Sequence, residues 1–133
     1  MSINLDDVFI NQFIVDKKVY QGFLNTFKDS NPLHVDEEFA QTKGFLHKVM
    51  HGNILGGFLS FFIGECLPIK NVVIHSQSIR YMKPVYLNDL LQLEAKVSNV
   101  HHSVNVVEFT FSFKNIVSCE VVAKGKIQIG ILN

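Results

Sequence analysis

One stretch of this chain limits its fold more than any other. Gly52 to Leu67 contains Ile54, Leu55, Phe58, Leu59, Phe61, Phe62, Ile63 and Leu67, and leaves almost no polar face. A helix apolar all round must be buried on all sides. Gly56, Gly57 and Gly64 each cost such a helix about 1 kcal/mol relative to alanine. The expected return is close approach of another backbone or a ligand. Pro68 ends the helix. The nearly uncharged run from Ile54 to Gly64 is far shorter than the roughly twenty residues that span a bilayer. The rest of the chain is therefore expected to wrap around this helix in a soluble protein.

The wrapping material is easy to find. Residues 8–15 are β-branched and aromatic and read as a strand. Asp16 is an N-cap candidate for a helix over 17–27, with Val19, Tyr20, Phe23, Leu24 and Phe27 on one face. Asn31-Pro32 interrupts it. A short helix over 36–42 follows, capped by Asp36 and ended by Gly44. Strands are expected over 72–82, 90–100, 104–113 and 118–129, with turns at 85–89, 101–103 and 114–115. Long strands joined by short turns pair antiparallel. The fold class is α+β: one domain over residues 1–133, with an antiparallel sheet around a central apolar helix.

Charge narrows the function. Twelve Lys and Arg balance twelve Asp and Glu, and Arg80 is the single arginine. A net-neutral chain of this kind lacks the basic surface of a nucleic-acid binder. The acidic N-terminus Met1-Ser2-Ile3-Asn4-Leu5-Asp6-Asp7 is unlike a secretory signal, so a cytoplasmic location is expected. Cys66 and Cys119 sit in apolar surroundings and read as reduced core thiols.

The densest polar cluster is Asp29-Ser30-Asn31-Pro32-Leu33-His34. The bend at Pro32 lets Asp29 and His34 face one point, a pair suited to activating water or passing protons. The same residues are ordinary turn formers, and spacing alone leaves both readings open. Met50-His51-Gly52-Asn53 opens the apolar helix. Free N–H groups and the positive end of the helix dipole there suit a developing oxyanion, and Gly52 allows a carbonyl close to the backbone. Gly52 can equally serve only the tight entry into the helix. Ser60 either bonds back within its helix or reaches a catalytic side chain. His47 and His51 are four apart, but no HExxH pattern surrounds them, and no metal site is expected.

These residues carry a resemblance. Asp29-Ser30-Asn31-Pro32-Leu33-His34, then 35–40, then Val49-Met50-His51-Gly52, then residues 79–89 resemble the MaoC-like (R)-specific enoyl-CoA hydratases over most of the chain. The resemblance implies a hot-dog fold and a homodimer with sheets joined edge to edge. It implies that Asp29 and His34 activate the water that adds to a trans-2-enoyl thioester. It implies that the Gly52 N–H polarises the thioester carbonyl, with Ser60, Asn31 and His51 in support. Coenzyme A or acyl carrier protein would be the substrate carrier, with no further cofactor, and Lys28, Arg80 and Lys83 are candidates to bind it.

The sequence departs from the family pattern at Phe27-Lys28, Asn53 and Asn88. Phe58, Phe61 and Phe62 are bulky enough to shorten an acyl pocket. Two other functions compete. One is a hot-dog thioesterase, for which the helix offers only Glu65. The other is a non-catalytic acyl-thioester binding protein.

Overall fold

The computed structural model describes residues 3–133. Strand β1 (Val8–Ile14) leads into α1 (Lys17–Phe27), where Asp16 accepts the Val19 N–H at 2.9 Å. Lys28, in the left-handed region at φ 59°, ends α1. Two short helices follow, α2 (Pro32–Val35) and α3 (Glu37–Thr42). The apolar segment forms α4 (Asn53–Phe61), which continues into a π-helical turn over Phe62–Cys66. Four strands complete the chain: β2 (Val72–Tyr81), β3 (Leu90–His101), β4 (Val106–Asn115) and β5 (Val121–Ile131).

All strand pairings are antiparallel, in the order β1-β3-β4-β5-β2. The sheet turns its apolar alternation toward α4. Leu91, Leu93, Ala95 and Val97 on β3, and Val107, Phe109, Phe111 and Phe113 on β4, are buried with Leu55, Leu59, Phe62 and Ile63. Phe62 meets Phe9 and Phe109 with ring centroids 5.8 Å away in each case. Truncating so buried an aromatic typically costs about 3–5 kcal/mol. Phe62 is therefore core and does not shorten a pocket.

Several expectations are corrected. The strands β2 and β3 do not pair; β2 joins the far edge beside β5. The connection between them turns at Asn88, at φ 70°, a conformation that asparagine tolerates in place of glycine. The α4 segment is buried on one face only. Asn53, Gly57, Ser60, Phe61 and Gly64 recur at helical spacing on the other face and are exposed, because the sheet covers one side of the helix. Nothing lies within 4 Å of a Cβ built at Gly57 or Gly64, so no close approach explains them. Phe27 leaves the apolar face of α1 and is exposed. Cys66 is half-buried and Cys119 exposed in the β4–β5 turn, so Cys119 is no core thiol. That connection occupies 116–120, beyond the expected 114–115.

Candidate active site

The pair Asp29 and His34 is assembled by local backbone bonds. Asn31 caps α2 by accepting the Leu33 N–H at 3.0 Å, with Pro32 opening the helix. Asp29 Oδ1 accepts the Asn31 N–H at 3.2 Å. The turn-forming and chemical readings of this segment are therefore compatible: the turn positions the carboxylate. His34 Nδ1 lies 2.7 Å from the Val49 carbonyl oxygen. A carbonyl only accepts, so Nδ1 carries a proton, and in the neutral ring Nε2 is the acceptor. That Nε2 faces Asp29 Oδ2 at 3.9 Å, with His34 largely covered and Asp29 half exposed. The separation is too long for a direct hydrogen bond.

His51 forms the wall behind the pair. It is 3% exposed, and its Nε2 donates to the Asp29 carbonyl at 2.8 Å. Its ring lies 4.2 Å from that of His34 and 4.7 Å from that of Phe23. The buried Nδ1 has no partner among the described residues. Tyr20, inside α1, donates its hydroxyl to the His34 carbonyl at 2.6 Å. Tyr20 and the Val49 carbonyl were not anticipated. A buried tyrosine on an apolar helix face must find an acceptor, which is the signal that marks Tyr20.

Gly52 stands at the N-terminal end of α4, and its N–H is donated to no backbone acceptor among the described residues. His34, His51 and Gly52 line one cavity of about 440 Å³, with Val15, Ile54 and Tyr81. Asp29 lines a second cavity of about 1080 Å³ between α1 and α4, walled by Val19, Phe23, Phe27, Phe58 and Phe61. Ile54 borders both cavities. The pair thus stands between two spaces, one flanked by a free helix N–H and one apolar.

Asp29, His34 and His51 each place a donor atom within 4.8 Å of the others, and these are the residues that could hold a cation. Both imidazoles already commit one nitrogen to a backbone carbonyl, which fixes the orientation of each ring. His47 faces Glu37 at 3.3 Å instead and shares no site with His51.

Other expected residues fall elsewhere. Ser60 shares the exposed face of α4 with Asn53 and Gly57 and lines neither cavity. Lys28 follows α1 directly before Asp29 and is exposed. Lys83 lines the cavity of His34, with its ammonium 3.6 Å from Glu120. Arg80 stands opposite Lys124 in the register and lines a different depression with Lys124 and Lys126. The strand alternation explains this: Ile79 and Tyr81 take one face of β2 and Arg80 the other. Glu65 pairs with Lys70 at 3.4 Å beyond the end of α4, and lines neither cavity.

Fold and site define a hot-dog domain, a helix cradled in a curved antiparallel sheet. More particularly, the chain belongs to the MaoC-like domain family, whose model matches residues 14–118. It is 31% identical over 104 residues to an (R)-specific enoyl-CoA hydratase of Rhodospirillum rubrum, covering 78% of this chain and 71% of that protein. It is 30% identical over 79 residues to a 3-hydroxybutyryl-CoA dehydratase of Methylorubrum extorquens, covering 59% of this chain and 50% of that one. Among solved structures, the (R)-hydratase of A. caviae superposes with a TM-score of 0.88 at 22% identity, over 98% of each chain. A protein from Archaeoglobus fulgidus gives 0.87 at 28% identity, over 97% of this chain and 79% of that one.

Proposed function

We propose that this chain is a hydratase/dehydratase that adds water reversibly to a trans-2-enoyl thioester, giving a 3-hydroxyacyl thioester of (R) configuration. The observation that carries the reading is the bare His34 Nε2 facing Asp29 Oδ2 at 3.9 Å beside the free Gly52 N–H. A water about 2.8 Å from each acceptor, an ordinary hydrogen-bond length, can point one proton at each. Its oxygen lone pair is then aimed at the substrate β-carbon. The water O–H breaks, the C3–O bond forms, and the pair accepts a proton. Negative charge collects on the thioester oxygen, stabilised by the Gly52 N–H at the positive end of α4. A donor so placed is typically worth about 3 kcal/mol. The pair then returns a proton to the α-carbon, completing the addition. Coenzyme A or acyl carrier protein bears the acyl group, which lies against the apolar wall of α1 and α4. Nothing in this sequence of steps calls for another cofactor.

The reading includes a homodimer joined along the open edge of β2 and a cytoplasmic setting. No helix of the described residues is long and apolar enough to cross a membrane. The test uses crotonyl-CoA, following enone absorbance and free thiol in parallel. Absorbance should fall with no thiol released. Rapid thiol release would replace hydration with hydrolysis. Asp29→Asn and His34→Ala should each reduce kcat by about 10²–10⁴-fold, the range for losing a general acid or base. Near-normal turnover in both would sink the assignment.

A further inference from the structure

The wall facing Gly52 is a tyrosine. A Cβ built on Gly52 would fall 2.8 Å from Tyr81 Cζ, 2.9 Å from Cε1 and 3.2 Å from the hydroxyl oxygen. The phenol is thus packed on the α-carbon of the residue whose N–H is free at the start of α4, an approach only glycine permits. Tyr81 ends β2, and the Met82 and Lys83 N–H groups both donate to the Val122 carbonyl, which fixes the strand end beneath the ring. Tyr81 and Gly52 line the same cavity as His34.

The Tyr81 hydroxyl has no protein hydrogen-bond partner among the described residues. The other tyrosines do: Tyr20 donates to His34, and Tyr86 accepts from the Leu46 N–H. Tyr81 is 48% exposed, and its hydroxyl is free to turn into the cavity that it shares with Gly52. Desolvation of the covered side of the ring pushes the Tyr81 phenol above its ordinary range, which keeps it a neutral donor. Of the other polar groups lining the cavity, the Lys83 ammonium is engaged with Glu120.

We propose that the Tyr81 hydroxyl is a second donor to the thioester carbonyl oxygen, converging with the Gly52 N–H. This rests on the hydratase reading for its reaction, but its defining contact is read independently of turnover. As charge grows on that oxygen, a hydrogen bond from a phenol strengthens more than one to the neutral carbonyl. Its loss should therefore lower kcat more than it raises KM.

Tyr81→Phe keeps the ring against Gly52 and removes only the donor. It should lower kcat on crotonyl-CoA about tenfold, with KM within about twofold and an unchanged melting midpoint. The contact itself is tested with hexadienoyl-CoA, a conjugated thioester whose absorption moves to the red when its carbonyl is polarised. It is bound to Asp29→Asn protein, which suppresses turnover, with and without Tyr81→Phe. The red shift should shrink when the hydroxyl is absent. An equal shift in both proteins overturns the proposal, whatever happens to kcat, since the ring then only shapes the cavity. A bound dienoyl thioester with no red shift in either protein overturns it too. Failure of the natural chain to hydrate crotonyl-CoA would instead sink the hydratase reading, leaving the donor contact to be judged by the shift.

Discussion

At the scale of single residues, the site depends on neighbours that never touch substrate. His51 anchors the Asp29 carbonyl through Nε2, so it is a positioning residue. His51→Leu fills similar space and loses the anchor. It should lower kcat about tenfold, and His51→Gln, which restores a donor at comparable reach, should recover part of that loss. Equal activity in the two variants would leave the ring as packing alone. Glu37 anchors the segment leading to the site. The Lys48 N–H at 2.7 Å, followed by His47, holds its carboxyl below the ordinary range. A lowered folded pKa means stabilisation that is full above the ordinary carboxylate value and is lost as pH falls through the lowered one. The protection factor of the Lys48 amide, the unstructured exchange rate over the observed rate at the same pH, should therefore fall at acid pH, and in Glu37→Gln should lose most of that change. The residues of the pair were legible because turn formers, a proline and a histidine lie within six consecutive positions. Tyr81 was not, because its meaning lies in a contact with Gly52 across the fold. Cys119 was misplaced because an apolar neighbourhood in sequence does not stop a left-handed turn from facing outward.

At the scale of elements, local signals and long-range ones separate cleanly. The bounds of α1 are readable because Asp16 and Lys28 end it through bonds within their own turns. The place of β2 is not, because a strand carries no local mark of which partner it will take. Only the assembled sheet places it beside β5. The one-sided burial of α4 has the same origin: apolar residues show that a helix can be buried, and the reach of the sheet decides where. The β2–β5 seam is unusually close at Gly125. A Cβ there would lie 1.9 Å from the Ser78 carbonyl oxygen and 2.9 Å from Phe111 Cζ. The first of these is backbone and has no rotamer to change. Gly125→Ala should therefore destabilise the domain by about 1–3 kcal/mol or more through forced strand displacement. It should also lower activity, since Tyr81 ends β2, the strand across this seam. Gly57→Ala, in open space on α4, should instead be neutral or stabilising by up to about 1 kcal/mol. Denaturant midpoints for the two variants check both signs.

At the scale of the whole molecule, the balanced charge and the apolar surface bear on association together. Phe27 is 67% exposed and Phe61 53% exposed, and both border the large cavity that holds Asp29. The outer edge of β2 is also unpaired among the described residues, where β2 bonds only to β5. A net-neutral protein has little overall repulsion to oppose contact between two copies. An open strand edge and an exposed apolar groove are each a liability unless something covers them. A second copy joined along β2 would meet both needs, provided it buries roughly the 1,200 Å² or more of a stable interface. Covering the groove would also exclude water from the side of Asp29 that the single chain leaves half exposed, strengthening the electrostatics of the pair. Stability should then depend on concentration, because association favours the folded state by mass action. The melting midpoint should rise over a hundredfold increase in protein, and sedimentation should give a dimer at micromolar concentration. A monomer whose midpoint ignores concentration would place the cover of this groove in the substrate alone.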